Sequence, residues 1–487
     1  MYTLLHRSKN SLIRSVNKRY QPRYLSMGST QEEANGFAQS YKMFVCNEPK
    51  DGTQYIDVMD KYTLKKVTKV AMATVQDIEA AIQGAQEAAP AMASMPSYER
   101  KAVLHKVVSE LERQAEEIAR IITTESGKPI KDSRGEVQRT IDTFQVAAEE
   151  STRIMGEYMP LDISPSNKGL QGIIKKYPIG PLSLISPWNF PLNLVAHKVA
   201  PALAVGCPFV LKPSSRTPIS ALFLGQILES CNNLPKGSGT SGWDMKTRAG
   251  KKKVVMELGG NSPCIVEDLV PDLKGTVDRL VQGGFYQSGQ SCIHMQRLYV
   301  REELYSRVQD ALIEAVKELK MGNPHEEDTF IGPIISESAA KSIEEKIQDA
   351  VKKGGRIAIG GNRHGTFVEP TILENVSMEA QVRREEIFGP VVLMYSYRDF
   401  MDAVQEANNT QYGLQAGVFT TDVNKAFYAL DHIQAGGICL NDSPSKRVDS
   451  QPYGGLKDSG IQREGVRYAM EDMLETKVLV MRNVGKI

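Results

Sequence analysis

The sequence predicts an α/β protein of more than one domain. From about Gly172 onward, short apolar runs separated by glycine and proline are typical of buried strands. Later stretches alternate such runs with amphipathic patterns, as in the helix predicted over residues 302–319. At 487 residues the chain is longer than one hydrophobic core usually serves. We therefore expect at least two domains built from packed helices and sheets.

Two periodicities support this fold class. Apolar runs that predict strands cover residues 173–174, 182–185, 209–211, 254–256, 264–266 and 298–300. Between residues 75 and 157 the pattern is helical instead, because apolar residues from Leu104 to Ile122 recur at steps of three and four. Gly127 and Pro129 are expected to end a helix within this stretch.

Charge and cysteine content exclude several classes of function. Lys and Arg total 59 against 58 Asp and Glu, so the chain has no general attraction to nucleic acid or anionic lipid. The six cysteines show no Cys-x-x-Cys spacing and no histidine pairing, which argues against a disulfide framework and a metal site. The uncharged stretch 179–196 is long enough to cross a membrane, but its prolines would break a helix. We predict neither a membrane segment nor a bound metal ion.

The first 28 residues have the composition of a mitochondrial transit peptide. Arginine, lysine and serine are frequent there, and no acidic residue precedes Glu32. Targeting to the mitochondrial matrix is therefore expected, with processing near Leu25. Translation from Met27 would instead give a cytosolic form, and a disordered basic arm is the alternative interpretation.

Two turns carry reactive side chains. Cys292 ends the segment Gly-Gln-Ser-Cys, between a helical run and the strand predicted at 298–300, where a thiol can reach a cleft. Glu257 ends another strand before a Gly-Gly pair that lets other groups approach closely. A glutamate that serves as a general base has to be partly desolvated, so that its pKa rises toward neutrality. These residues are the candidate nucleophile and base.

Two further segments supply candidate ligand contacts. Asn189 lies between Pro187 and Pro191, which fix a rigid turn, and its amide is a candidate donor to an oxyanion. Lys212 directly follows the strand predicted at 209–211. Because α/β folds present residues to ligands at this position, Lys212 is a candidate for nucleotide binding.

In order and spacing these segments resemble the aldehyde dehydrogenase superfamily over nearly the whole chain after about Ala73. The motifs Glu-Glu-Ile-Phe-Gly-Pro at 385–390 and Pro-Tyr-Gly-Gly-Leu-Lys-Asp-Ser-Gly at 452–460 extend the resemblance. It implies a non-acylating, NAD(P)-dependent enzyme that forms a homodimer or homotetramer. The implied parts are a Rossmann-type cofactor domain (29–156 and 179–258), an α/β catalytic domain (259–450) and a small oligomerisation element (157–178 and 470–487).

The resemblance also implies roles for individual residues. Cys292 matches the nucleophile, Glu257 the general base, and Asn189 with the Cys292 backbone amide the oxyanion hole. Relatives that pass the acyl group to coenzyme A typically lack this glutamate, so hydrolysis to the free acid is implied. The residues implied to lie around the cofactor are Ser186, Trp188, Lys212, Ser215, Ser238, Leu258, Glu386 and Phe388.

Two positions bear on specificity. Ser215 stands where many NAD-preferring members carry glutamate, and it leaves room for a 2′-phosphate, so either NADP or NAD is expected. The context of Arg447 resembles members that act on small hydroxylated or anionic aldehydes, such as lactaldehyde, glyceraldehyde 3-phosphate or succinate semialdehyde. A guanidinium suits a carboxylate or phosphate, but it could equally pair with Asp449.

One departure from the family pattern lies between Lys212 and Glu257. About 30 residues, roughly one βαβ unit, are missing near residues 236–238. Residues 237–242 happen to read Gly-x-Gly-x-x-Gly, but a helix and not a strand is predicted before them, so we discount a dinucleotide fingerprint. Two hypotheses follow: a working dehydrogenase with a trimmed cofactor domain, or an inactive shortened variant that associates with full-length subunits.

Overall fold

The computed structural model describes residues 36–231 and 251–485. The predicted transit peptide, the junction at 236–238 and Ser238 lie outside these residues, so all three stay predictions. Within the described ranges, no helix is both long and apolar enough to cross a membrane.

The described chain begins with two antiparallel hairpins and continues as helices. Strand Met43–Val45 pairs with Glu48–Lys50, and Gln54–Met59 pairs with Lys66–Met72. The helices that follow are Val75–Ser94, Ser97–Arg113, Ala115–Ser126 and Ile130–Glu150. The predicted helical stretch is confirmed, and its apolar stripe packs in the core at Leu104, Leu111 and Ile122.

Gly127 ends helix Ala115–Ser126, as the sequence predicts. Its φ is +80°, and its N–H donates to the Thr123 carbonyl oxygen at 2.8 Å. A Cβ at this position would lie 2.9 Å from Cγ of Pro333. The left-handed backbone and the close contact both favour glycine.

A three-stranded antiparallel sheet joins the middle and the end of the chain. Strand Leu170–Pro178 lies between Glu157–Pro160 and the C-terminal strand Leu474–Arg482. The strand predicted at 173–174 is confirmed, but its burial is wrong, because Ile173 is 43% exposed. Several other apolar side chains of this sheet are also exposed: Tyr158, Val478, Leu479 and Val480.

The first parallel sheet contains two strands, Leu182–Ile185 and Phe209–Lys212. Helix Asn193–Val205 connects them, and helix Ile219–Glu229 follows the second. The strand predicted at 254–256 is wrong in extent. The structure has only Met256–Glu257, which pairs antiparallel with Gly460–Ile461, and the side chain before it, Val255, is 42% exposed.

A seven-stranded sheet forms the second layer structure, and all its strands lie between residues 262 and 440. Their order is Arg356–Ile359, Thr371–Glu374, Val391–Tyr397, Met295–Arg301, Ser262–Val266, Gln415–Phe419 and Gly437–Leu440, parallel except for the first. Its helices are Leu273–Phe285, Glu302–Lys317, Glu337–Lys352, Gln381–Arg384, Phe400–Asn408 and Val423–His432, and Val466–Asp472 packs on the helical part. The predicted α/β class is confirmed.

Candidate active site

The candidate nucleophile follows a turn with unusual backbone angles. Gln287 and Ser288 are left-handed, with φ of +53° and +55°. Gly289 follows at +68°, and a Cβ there would lie 2.1 Å from the Gly389 carbonyl oxygen. Such angles are uncommon outside glycine, so the surrounding contacts must hold the turn. The chain thereby crosses a neighbouring segment closely just before Cys292.

The Cys292 thiol is half-buried beside a tyrosine. Its Sγ lies 3.0 Å from the Tyr453 hydroxyl oxygen. Burial raises the pKa of the thiol to about 11, and the hydrogen bond from Tyr453 acts in the opposite direction. Glu386 and Glu257 also raise this pKa, whereas Arg447 lowers it. The thiol is therefore protonated at neutral pH until a base or a positive charge changes its surroundings.

The candidate base Glu257 is desolvated, as predicted, but its pKa lies above neutrality. Both Glu257 carboxylate oxygens are buried and have no hydrogen-bond partner among the described residues. Burial, followed by repulsion from Glu464, raises the pKa of Glu257 to about 9, while Lys198 lowers it. A Cβ at Gly454 would lie 2.6 Å from Glu257 Oε1, so this glycine leaves room for the carboxylate.

The glycine pair after Glu257 contacts both the nucleophile segment and Glu386. A Cβ at Gly260 would lie 2.3 Å from the Cys292 carbonyl oxygen, and one at Gly259 would lie 2.6 Å from Glu386 Oε2. The Gly260 N–H donates to Glu386 Oε1 at 2.8 Å. The prediction that these glycines permit close approach is confirmed.

Asn189 lies against the same segment. Its buried amide donates from Nδ2 to the Gln290 carbonyl oxygen at 3.3 Å. Gln287 Nε2 donates to the Asn189 carbonyl oxygen and, at 3.3 Å, to the same Gln290 oxygen. The Gln290 oxygen therefore has two donors, and it would keep one if the Asn189 amide donated elsewhere.

A buried ion pair, Lys128 with Glu136, contacts the backbone that follows the Asn189 turn. Lys128 and Glu136 pair with side chains that are 1% and 0% exposed. Glu136 Oε1 also accepts the N–H groups of Leu192 and Asn193, at 2.9 and 3.1 Å, at the start of helix Asn193–Val205. A carboxylate is favoured at a helix N-terminus, where backbone N–H groups lack partners.

Arg447 does not pair with Asp449, so that alternative is wrong. Asp449 is occupied by Arg139, at 2.7 Å, and by Nε2 of His197, at 2.8 Å. Arg447 instead donates to Glu464 Oε2 at 3.3 Å. Its guanidinium carbon lies 3.7 Å from the centre of the Tyr453 ring.

Glu464 connects Arg447 to a second cation. Lys198 also donates to the Glu464 carboxylate. Burial alone would raise the pKa of Glu464, but Lys198 and Arg447 outweigh it and lower this pKa to about 2. The Arg447 side chain is 5% exposed, and its buried Nε has no partner among the described residues. Part of its donor capacity is therefore uncommitted.

Three of the residues implied for the cofactor line one cleft. The cleft has a volume of about 360 Å³ and includes Trp188, Glu386 and Phe388, with Arg216 and Lys346 as its cations. The Trp188 and Phe388 rings meet edge to face at 5.3 Å. Burial raises the pKa of Glu386 to about 7, against the hydrogen bond from the Gly260 N–H.

Four other residues implied for the cofactor, all within the described ranges, are not among those that line this cleft: Ser186, Lys212, Ser215 and Leu258. Lys212 ends its strand, and its carbonyl oxygen accepts the Ser186 N–H at 3.3 Å. The Ser186 hydroxyl is buried and has no partner in the described part of the chain. Ser215 is exposed, and the Leu258 N–H donates to the Ser459 carbonyl oxygen at 3.0 Å.

Comparison with known families decides the family of the chain. The sequence pattern of the aldehyde dehydrogenase family matches residues 48–241 and 236–479. The chain belongs to the aldehyde dehydrogenase family. The match to this aldehyde dehydrogenase divides at residues 236–241, where the sequence analysis places the missing residues.

Relatives of this aldehyde dehydrogenase extend over almost the same length. It is 38% identical over 470 residues to 3-sulfolactaldehyde dehydrogenase from Priestia aryabhattai, covering 91% of this chain and 98% of that protein. Aldehyde dehydrogenase 21 from Physcomitrella patens, solved in complex with the reaction product succinate, is 63% identical with a TM-score of 0.91, covering 93% and 100%. Glyceraldehyde-3-phosphate dehydrogenase GapN from Methanocaldococcus jannaschii, complexed with NADP, is 32% identical with a TM-score of 0.84, covering 88% and 100%.

Several residues of this aldehyde dehydrogenase site were not assigned a role from the sequence. Tyr453 lies within the motif at 452–460, and no local sequence pattern marks Glu136 or Glu464. Lys198 follows a histidine inside an otherwise apolar helical stretch, and that pattern could have marked it. The remaining contacts join residues far apart in sequence, so no local pattern predicts them.

Proposed function

We propose that the chain oxidises a small anionic aldehyde, of the succinate semialdehyde class, to its carboxylic acid, with NADP or NAD as the acceptor. The observation that carries the proposal is the convergence of a thiol, a buried carboxylate without a partner and a partly uncommitted arginine at one site. These groups are Cys292, Glu257 and Arg447. Because the shortened chain still carries all three groups, we favour the active enzyme over the inactive shortened variant.

The residues divide the reaction into two steps. In the first, the Cys292 thiol loses its proton to water, its Sγ attacks the carbonyl carbon, and the Asn189 amide with the Cys292 N–H stabilises the oxyanion of the thiohemiacetal. When bound, the nicotinamide would supply the hydride acceptor, and Cys292 would then carry the acyl group as a thioester. In the second, Glu257 in its ionised form takes a proton from water, hydroxide adds to the thioester carbon, and the carbon–sulfur bond breaks with its electron pair on sulfur.

The described residues fit the nicotinamide half of the cofactor. Trp188 and Phe388 provide flat apolar walls, and Glu386 provides acceptors for ribose hydroxyl groups. The Gly259 position leaves the space that Glu386 occupies. Ser215 adds no negative charge, so a 2′-phosphate is tolerated and NADP is at least as suitable as NAD.

The guanidinium of Arg447 is the group on which the proposed substrate class, an anionic aldehyde, depends. Its charge lies beside Cys292 and Tyr453, and one of its donors has no partner. The Physcomitrella patens relative binds succinate, and sulfolactaldehyde, the substrate that names the Priestia relative, carries a sulfonate. An anionic group is the chemistry that these molecules share with glyceraldehyde 3-phosphate, and a guanidinium suits it.

The first test measures reduction of NADP and NAD with succinate semialdehyde. Cys292→Ser should abolish turnover because serine is a far weaker nucleophile, whereas the control Cys439→Ser, at another half-buried thiol, should retain it. If the purified, folded chain binds neither cofactor by fluorescence quenching, the inactive variant is the correct hypothesis. Lys212→Ala tests whether any binding uses the expected site.

The second test isolates the anion. Butanal has the four-carbon chain of succinate semialdehyde without its carboxylate. Arg447→Met should raise KM for the semialdehyde at least about tenfold more than KM for butanal, since a charge-assisted hydrogen bond is worth about 1.5–3 kcal/mol. The surface variant Arg398→Met, whose side chain is 83% exposed, is the control. Equal effects on both substrates would refute a role for Arg447 in substrate recognition.

We also propose that residues 157–178 and 470–487 mediate homo-oligomerisation, as a dimer or a tetramer. Val478, Leu479 and Val480 in the C-terminal strand are all more than half exposed. Exposed apolar strands that lack a cover are favourable sites for pairing with a second copy. Light scattering on wild type and on Leu479→Glu measures this, and an unchanged mass with the variant would contradict the proposal.

A further inference from the structure

The hydroxyl of Tyr453 lies within hydrogen-bond distance of the candidate nucleophile. It lies 3.0 Å from Cys292 Sγ, within hydrogen-bond distance for sulfur. The Tyr453 ring is 3% exposed and packs with Ile293 and Leu414 in a small apolar cluster beside the thiol. No other hydrogen bond to Cys292 Sγ is present among the described residues, so this contact dominates the local polar environment of the sulfur.

The backbone and ring of Tyr453 are both held in place. Its N–H donates to the Glu464 carbonyl oxygen at 3.0 Å, and the Glu464 N–H donates back at 2.6 Å. The Arg447 guanidinium covers the ring face, 3.7 Å from the ring centre. Because backbone and ring are fixed, the hydroxyl is directed at the sulfur without a further loss of side-chain entropy.

Once the thiol has lost its proton, the Tyr453 hydroxyl has to be the donor in this hydrogen bond. Burial raises the pKa of Tyr453 well above its usual value, so the hydroxyl keeps its proton throughout the working pH range. A thiolate has no hydrogen to donate, so the O–H must point to the sulfur. Hydrogen bonds to charged groups are stronger than those between neutral groups, so the contact stabilises the thiolate more than the thiol.

We propose that Tyr453 is a further catalytic residue, whose hydroxyl donates the hydrogen bond that stabilises the Cys292 thiolate. The proposal rests on the proposed role of Cys292. The bond acts twice in the reaction. It favours the thiolate before attack on the carbonyl carbon. When hydroxide has added to the thioester and the carbon–sulfur bond breaks, it stabilises the thiolate that leaves with the electron pair. Tyr453 transfers no proton in either step.

The test is the pH dependence of Cys292 alkylation by iodoacetamide, followed on the Cys292 peptide by mass spectrometry. This readout needs neither cofactor nor aldehyde, so it is independent of whether the proposed oxidation occurs. The other strong charges on the thiol, Glu257, Glu386 and Arg447, are the same in wild type and in Tyr453→Phe. The variant should raise the midpoint by about one pH unit and slow alkylation at neutral pH about tenfold.

A matched control and a second variant separate this role from a structural one. Tyr395→Phe also removes a phenol hydroxyl, one that donates to the Val376 carbonyl oxygen at 3.4 Å, and it should leave the midpoint unchanged. Site-specific 3-fluorotyrosine at 453 makes the hydroxyl a stronger donor without removing it, and it should lower the midpoint. An unchanged midpoint in Tyr453→Phe overturns the proposal. If that variant does not fold, an unchanged midpoint with fluorotyrosine overturns it.

Discussion

Gly259 and Glu386 are packed so closely that a Cβ on the glycine would lie 2.6 Å from the Glu386 Oε2 atom. The colliding atom is the end of a side chain and not backbone, so the side chain can move without unfolding the protein. Gly259→Ala therefore displaces the Glu386 carboxylate. Cofactor affinity should fall about tenfold or more by fluorescence titration, because charge-assisted contacts to the ribose are lost.

The control for this glycine lies in helix Ile130–Glu150. A Cβ at Gly135 would meet nothing within 4 Å. Gly135→Ala should leave cofactor affinity unchanged and stabilise the protein by about 0.5–1 kcal/mol, since alanine loses less entropy in a helix. Equal affinities for wild type and Gly259→Ala would contradict the role of Glu386 in cofactor binding.

Glu257→Gln should block the second step and spare the first. Loss of a general base typically lowers a rate by about 10²–10⁴-fold. Stopped-flow absorbance should therefore show a burst of one reduced cofactor per site, followed by slow turnover. Loss of the burst together with turnover would instead indicate that Glu257 is needed for attack by the thiol.

The raised pKa of Glu257 also predicts how stability depends on pH. Burial and Glu464 raise this pKa to about 9, so between the ordinary carboxyl value and about 9 the folded state binds more protons than the unfolded state. The contribution of the protonated carboxyl is complete at low pH and is lost as pH rises through about 9. The Tm of Glu257→Gln relative to wild type should therefore increase from pH 5 to pH 9, by calorimetry.

Glu464→Gln should shift the pH dependence of thioester hydrolysis to lower pH. Repulsion from Glu464 is the second-largest cause of the raised Glu257 pKa, and its removal also leaves Lys198 and Arg447 free to stabilise the Glu257 carboxylate. The loss of the Glu464 charge and the release of Lys198 and Arg447 all lower the pKa of Glu257. The measurement is the single-turnover hydrolysis rate against pH, and a midpoint at or above the wild-type value would exclude the coupling.

Glu136→Gln should destabilise the fold and weaken catalysis. The change leaves the buried Lys128 ammonium without its ion-pair partner, and breaking a buried pair in this way typically costs about 3–5 kcal/mol. The Leu192 N–H donates to the Glu136 carboxylate, which holds the turn that carries Asn189. Because the variant removes this charged acceptor, Asn189 is positioned less well and kcat should fall more than KM changes.

A double variant separates the buried charge from the lost anchor. Lys128→Met in the Glu136→Gln background removes the unpaired ammonium, so Tm should recover part of its loss while kcat stays low. Unchanged stability in Glu136→Gln alone would show that water or another group satisfies Lys128.

Sequence patterns determined those parts of the protein that depend on residues close together in the chain. The helical periodicity, the Gly127 helix end, the strands and the order of Asn189, Glu257 and Cys292 were all predicted, because backbone preference and apolar spacing act locally. The exceptions were the strand at 254–256 and the burial of Ile173. Strand pairing and the cover over a strand depend on distant parts of the fold.

Only the tertiary structure decided which polar and ionisable side chains contact one another in the buried site. Tyr453 meets Cys292 across 161 residues, and Arg447 pairs with Glu464 and not with its near neighbour Asp449. Sequence names the groups that can ionise, but burial and neighbouring charge set their protonation, and both follow from how the chain packs. The sequence thus predicts Cys292 as the nucleophile, whereas the protonation of its thiol is set by the folded site.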